Sequence, residues 1–169
     1  MAEHRESLRV LPPATRFILQ CGKEARDAAG RGFGLALPEA ACRAEAASGR
    51  AALWLGPDER LLLAPEGIED SLAAGIASAI GSLPHSLVDV SHRQVALAIA
   101  GPTARDLLAC GCPLDLDDAA FPVGLCTRTV VGRADVVLWR PSAEEYHLET
   151  GRSFASYVLE WLREAERGG

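Results

Sequence analysis

FILQCGKEARDAAG, residues 17–30, and ALAIAGPTARDLLAC, residues 96–110, decide how the chain is to be read, because the second can be laid on the first in order. Gly22-x-x-Ala25-Arg26-Asp27 falls on Gly101-x-x-Ala104-Arg105-Asp106. Further on, Pro38 matches Pro122, and Leu53-Trp54-x-x-Pro57 lies near Leu138-Trp139-x-Pro141. In a chain rich in Ala and Arg a single match carries little. A collinear series whose offset grows slowly points to an internal duplication.

Each copy reads as strand, short helix, strand, strand, longer helix. Val95, Leu97 and Ile99 alternate with smaller residues, the period of a half-buried strand. Gly101-Pro102 then opens a short helix with proline at its first position, and Gly111 with Pro113 stops it. ADVVLWR and EYHLET around Pro141-Ser142-Ala143 read as a hairpin, as do AALWLG and RLLLAP around Pro57-Asp58. Ile68, Leu72, Ile76 and Ile80 recur every fourth residue, and Phe154, Tyr157, Val158, Trp161, Leu162 and Ala165 follow a helical apolar stripe. The aromatic residues of that last helix read as core. The expectation is an α+β fold of two pseudo-repeated β-α-β-β-α halves, with antiparallel sheets covered by helices. It forms one domain, 1–169, with halves at about 14–83 and 87–166 and a flexible N-terminus over 1–12.

The 169 residues carry a formal charge of −6, so the electrostatic footprint of a nucleic-acid binder is not expected. The positive charge is sixteen Arg and one Lys, a bias read as genome composition rather than a binding code. No apolar run reaches the ~18 residues needed to span a bilayer. MAEHRESLRVLPP, residues 1–13, is too polar for a signal peptide, and a cytoplasmic location without membrane contact is expected. The five cysteines, Cys21, Cys42, Cys110, Cys112 and Cys126, contain no CxxC pair and read as buried or half-buried thiols, with no metal site.

Catalytic motifs are missing as well. Gly30-Arg31-Gly32-Phe33-Gly34 has the look of a nucleotide loop, but its last glycine is one residue short of the dinucleotide fingerprint, and it reads as a flexible turn. GxxxxGK[ST], HExxH and GxSxG are absent. The acid pairs Asp117-Asp118 and Glu144-Glu145 fall in expected loops or turns and read as solvated surface. Asp89-Val90-Ser91-His92 holds an acid, a hydroxyl and an imidazole, but an extended backbone would put Asp89 and Ser91 on one face and His92 on the other. No catalytic residue is assigned. Asp89 and Ser91 read as backbone anchors at the start of a strand.

VDVSHRQVALAIAGPTARDLLACGCPLDL (residues 88–116), AFPVGLCTRTVVGRADVVLWR (120–140) and EEYHLETGRSFASYVLEWL (144–162) resemble the gamma subunit of heterotetrameric sarcosine oxidase. With ALWLGPDERLLLAPEG earlier, the similarity runs from about Leu8 to Ala165. Subunits of methylglutamate dehydrogenase complexes are similar. This family looks like a shortened relative of the folate-binding aminomethyltransferases, which also carry D-[VL]-S-H. The resemblance implies an aminomethyltransferase folate-binding-like fold in a complex that oxidises sarcosine to glycine and passes the one-carbon unit to tetrahydrofolate. It implies alpha, beta and delta partner subunits that hold NAD, FAD, FMN, tetrahydrofolate and zinc, with no cofactor and no catalytic residue on gamma.

The full-length relatives carry a glycine pair and an acidic pair where this chain has Val131-Gly132-Arg133-Ala134-Asp135, with one glycine and one acid. The resemblance makes Asp135 a candidate folate contact; by strand alternation it is equally an edge or cap residue. The chain also lacks the C-terminal domains that close over folate in those relatives. His92 and Arg93, charged residues at the head of an apolar strand, and Trp54 and Trp139, at equivalent places in the two copies, are candidate interface residues. The first expectation is a non-catalytic structural subunit of sarcosine oxidase. The alternatives are a free-standing folate-binding or aminomethyltransferase-like protein, the gamma subunit of a related N-methyl amino acid dehydrogenase, or a regulatory module.

Overall fold

The computed structural model describes residues 8–168 and divides into two compact units, Pro13–His92, and residues 93–168 with 8–12. The first strand, β1 (Leu8–Val10), belongs to the second unit. Within the stretch 1–12 expected to be flexible, Leu8–Val10 pairs in a sheet, and residues 1–7 lie outside the described residues. The reason is that Leu8 is apolar enough to join a hydrophobic core.

The first unit runs β2 (Ala14–Cys21), α1 (Lys23–Phe33), β3 (Ala44–Ala47), β4 (Arg50–Gly56), β5 (Glu59–Pro65), α2 (Glu69–Ile80) and β6 (His85–Asp89). Its five strands lie in the order β3-β4-β5-β2-β6, every neighbour antiparallel. Phe17, Leu19, Ala52 and Leu62 from the sheet meet Ala25, Ala29 and Phe33 of α1 and Leu72, Ile76 and Ile80 of α2. Full burial of each large apolar side chain stabilises by about 2 kcal/mol, so the fourfold spacing of Leu72, Ile76 and Ile80 fixes which side of α2 faces the sheet.

The second unit adds to β1 the elements β7 (Gln94–Ala100), α3 (Ala104–Ala109), β8 (Cys126–Val131), β9 (Ala134–Ser142), β10 (Glu145–Gly151) and α4 (Arg152–Gly168). The strand order is β1-β7-β10-β9-β8, again antiparallel throughout. Leu97, Ile99, Leu138, Tyr146 and Leu148 form its core with Leu107 and Leu108 of α3 and Val158 and Leu162 of α4. The two sheets share one plan, with their leading strands exchanged. β1 precedes the first repeat yet pairs with β7, and β6 precedes the second repeat yet pairs with β2. The boundaries expected at 14–83 and 87–166 therefore differ from the contact units by β6, which goes with the first.

Three local readings change. Gly30-Arg31-Gly32-Phe33 is helical, the last turn of α1, and only Gly34 is a turn residue, a left-handed cap at φ 78° whose N–H meets the Gly30 carbonyl at 2.9 Å. The glycine is needed there for packing, since a Cβ on Gly32 would stand 2.6 Å from the Gly75 carbonyl of α2. On α4 the buried residues are Val158 and Leu162, with Trp161 and Ala165 packed beside them, whereas Phe154 is 50% exposed and Tyr157 40%. The stripe is wider than the sheet beneath it can cover. Asp89 ends β6, and Ser91-His92-Arg93 is a turn before β7 rather than the start of a strand. No helix among the described residues is long and apolar enough to cross a membrane.

Candidate functional site

The polar residues of Asp89-Val90-Ser91-His92 are engaged with backbone. Asp89 Oδ1 accepts the Ser91 N–H at 2.8 Å, Ser91 Oγ accepts the Arg16 N–H at 2.8 Å, and the Val90 N–H donates to the Arg16 carbonyl at 2.9 Å. The Ser91 hydroxyl and N–H, working against burial and helped by the charge of His92, hold the Asp89 carboxyl below its ordinary range. Asp89 and Ser91 fasten the end of β6 to β2, and His92 and Arg93 project from the turn as exposed side chains. The Arg93 carbonyl receives the N–H of Arg152, the first residue of α4, at 2.8 Å.

The two tryptophans part company. Trp54 is half-buried on β4, whereas Trp139 is only 9% exposed and sits edge-on to His147, with ring centres 5.2 Å apart. Trp139 is a packing residue of the hairpin and offers little surface to a partner. Its neighbour His147 bonds through Nε2 to Glu145 Oε1 at 2.5 Å, and the same oxygen accepts Arg9 Nη2 at 3.0 Å. Burial would raise the Glu145 carboxyl, but the bonds from His147 and Arg9 outweigh it and hold the carboxyl below its ordinary value. Glu145 is therefore not the solvated acid its place beside a turn suggests. Antiparallel pairing sets it across β7 from the strand that carries Arg9.

Asp135 is exposed on β9 and lines an open cleft of 430 Å³ with Gln94, Arg128, Thr129, Val136, Val137, Glu149, Thr150 and Gly151. The Asp135 carbonyl accepts the Thr150 hydroxyl at 3.1 Å, which ties β9 to β10 beneath the cleft. Ligand sites for ring systems are lined mainly by apolar and aromatic side chains. This lining has no aromatic residue on which a pterin could stack.

Two buried guanidinium groups were not singled out from the sequence. Arg60 of β5 donates to the carbonyls of Pro38 at 2.8 Å, Gly56 at 2.9 Å, Pro57 at 2.9 Å and Glu59 at 3.2 Å. Arg140 of β9 donates to the carbonyls of Phe121 at 2.8 Å and Ala143 at 2.7 Å, and pairs with Asp118 at 2.7 Å. Each clasps the loop holding Pro38 or Pro122 to a hairpin turn. The repeated motif supplies a second cation in both units: Arg26 pairs with Asp27 and Glu39, and Arg105 with Asp106 and Asp117. Asp117 and Asp118 are thus partners of arginines.

Among the described residues no group of three or more His, Cys, Asp or Glu is placed to hold a metal ion. No disulfide joins the five cysteines, all of them among the described residues, and burial pushes the Cys21 thiol above its ordinary value despite Arg60 and Arg26 nearby.

The chain superposes on a chain of heterotetrameric sarcosine oxidase from Corynebacterium sp. U-96 in complex with pyrrole 2-carboxylate, with a TM-score of 0.87 and 31% identity over 94% of this chain and 82% of that one. It shares the fold of aminomethyltransferase T of the glycine cleavage system from Bartonella henselae, with a TM-score of 0.67 and 14% identity over 92% of this chain and 44% of that one. The sarcosine oxidase subunit gamma of Corynebacterium sp. (strain P-1) is 39% identical over 69% of this chain, and that of an Arthrobacter sp. is 37% identical over 72%. The matched region spans 57% and 59% of those two relatives' length. The family model for the sarcosine oxidase gamma subunit matches residues 23–167, and the chain belongs to that family.

Proposed function

We propose that the chain is a non-catalytic structural subunit of a heterotetrameric sarcosine oxidase, assembled in the cytoplasm with alpha, beta and delta subunits. The observation that supports this most is the superposition on a chain of the heterotetrameric enzyme over 94% of this chain. In this reading the complex demethylates sarcosine oxidatively to glycine and delivers the one-carbon unit to tetrahydrofolate. FAD, FMN, NAD and zinc reside on the other subunits, and this chain contributes surface. Exposed Phe154 and Tyr157 on α4 and the exposed His92-Arg93 turn fit that role, because buried aromatic and Arg side chains carry much of the energy of protein interfaces. Half-buried Trp54 is a further anchor.

The test is native mass spectrometry of the tagged chain purified from its own cells, with flavin absorbance recorded on the same peak. Co-elution with three other chains, one copy of each and yellow, is the expected result. A colourless monomer would overturn the reading. Arg93→Ala is expected to reduce co-purified flavin; undiminished flavin would remove Arg93 from the interface. Calorimetry of the isolated chain with tetrahydrofolate is expected to give no binding heat, whereas micromolar binding, about −8 kcal/mol, would support a free-standing folate-binding protein instead.

A further inference from the structure

A cleft of 180 Å³ in the second unit is lined by Gly101, Arg105, Asp118, Arg140, Glu144 and Tyr146 among others. Tyr146 is 2% exposed and Arg140 5%, and both carry a buried polar atom without a hydrogen-bond partner, the Tyr146 hydroxyl and Arg140 Nε. Tyr146 and Arg140 line the cleft together with the charged side chains of Arg105 and Asp118. Among the described residues the first unit has no such orphan. Arg60, at the corresponding place on β5, spends its guanidinium on four carbonyls. An unsatisfied buried donor is costly, and two of them beside one cleft mark a place where a ligand supplies what the chain does not.

We propose that this cleft binds a small zwitterion of the α-amino acid class, with its carboxylate toward Arg140 and Tyr146 and its ammonium toward Asp118 and Glu144. Two cations and two anions line the cleft, which favours a ligand carrying both charges over a phosphate or a simple acid. The volume is well below that of a drug-sized site and admits only a handful of non-hydrogen atoms. Asp118 has a side chain 77% exposed and sits on Arg140 at 2.7 Å, so it is the part of the wall freest to shift as a carboxylate arrives. The site requires only this chain, whether or not the chain sits in a complex.

The test is a nuclear magnetic resonance titration of the full chain with glycine, and with acetate and methylamine as probes of each half. Saturable glycine binding, tighter than that of either half, is expected. Tyr146→Phe should weaken it about tenfold with no loss of stability, because the hydroxyl has no partner in the chain. Asp118→Asn should weaken glycine more than acetate. Absence of saturation, acetate binding as tight as glycine, or an unchanged affinity in Tyr146→Phe would each overturn the proposal. A chain that co-purifies with partner subunits and still ignores glycine would fail here without touching the subunit reading.

Discussion

Gly32 and Gly111 hold the same place in the two repeats, and the two units solve the packing over them in opposite ways. Leu72 and Ile76 of α2 answer to Val158 and Leu162 of α4, so Gly75 answers to Trp161. In the first unit Gly32 faces Gly75, glycine on glycine, and the two helices approach backbone to backbone. In the second, α3 is shorter, Gly111 lies beyond its end, and the space is filled by the Trp161 ring, whose Cζ3 would stand 2.6 Å from a Cβ on Gly111. The clasps diverge in the same manner. Arg60 reaches its carbonyls from β5; its counterpart on β10 is Tyr146, and the guanidinium of the second unit comes from Arg140 on the neighbouring strand, with its carbon 5.1 Å above the Tyr146 ring. The duplicated plan needs a tight seat under its second helix and a buried cation on its loop. It does not prescribe which residues supply them.

Replacing the cations tests that equivalence most severely. Arg60→Met leaves four carbonyls without their donor and is expected to lower stability by about 3 kcal/mol, whereas Arg140→Met, with two carbonyls and an exposed acid as partners, costs about 2 kcal/mol. Urea unfolding midpoints of both variants measure the difference; a reversed order would break the comparison.

The glycines come next. Ala at Gly32 gains about 1 kcal/mol in helix propensity but drives its Cβ to 2.6 Å from a backbone carbonyl and 2.8 Å from Ile76 Cα, neither of which can step aside. Overpacking of this kind costs up to about 3 kcal/mol, so the net loss is about 2 kcal/mol, read as a fall in melting temperature. Gly111→Ala meets a side chain, the half-buried Trp161 ring, which can swing outward at about 1 kcal/mol. Its signature is a red shift in tryptophan fluorescence that Gly32→Ala does not produce. Equal costs for the two would show that the ring is as rigid a wall as the helix backbone.

The smallest effect is in acid. Glu145 in the second unit and Asp89 in the first both have carboxyls held below their ordinary values in the folded chain. Such groups stabilise fully above their unfolded values, about 4.3 for Glu and 3.9 for Asp, and that contribution disappears as the pH falls through the lower folded values. Stability should fall below about pH 4, and Glu145→Gln should flatten the fall more than Asp89→Asn, because Asp89 is exposed.

Much of the scaffold was legible. Leu72, Ile76 and Ile80, and Val158 with Leu162, declared their helices through spacing, and Leu97 and Ile99 their strand, because periodicity is a property of consecutive residues. Asp89 and Ser91 were legible as backbone anchors for the same reason: an Asx-type bond spans two residues. Asp117 and Asp118 are exposed, as their place in a loop suggests, whereas Glu145 is largely buried because Arg9, which meets it, comes from elsewhere in the chain. Gly30-Arg31-Gly32-Phe33 looked like a turn because nothing local reveals Gly75 lying against it.

The sequence by itself determined the α+β class, the duplication and the family, since all three rest on local pattern and order along the chain. The tertiary structure alone decided that β1 and β6 exchange sheets, that Phe154 and Tyr157 stay partly exposed, and that Arg140 rather than a copy of Arg60 clasps the second loop. Each of those depends on which distant surfaces meet, and the energy of burying a group is set by its neighbours in space, which a linear order does not contain.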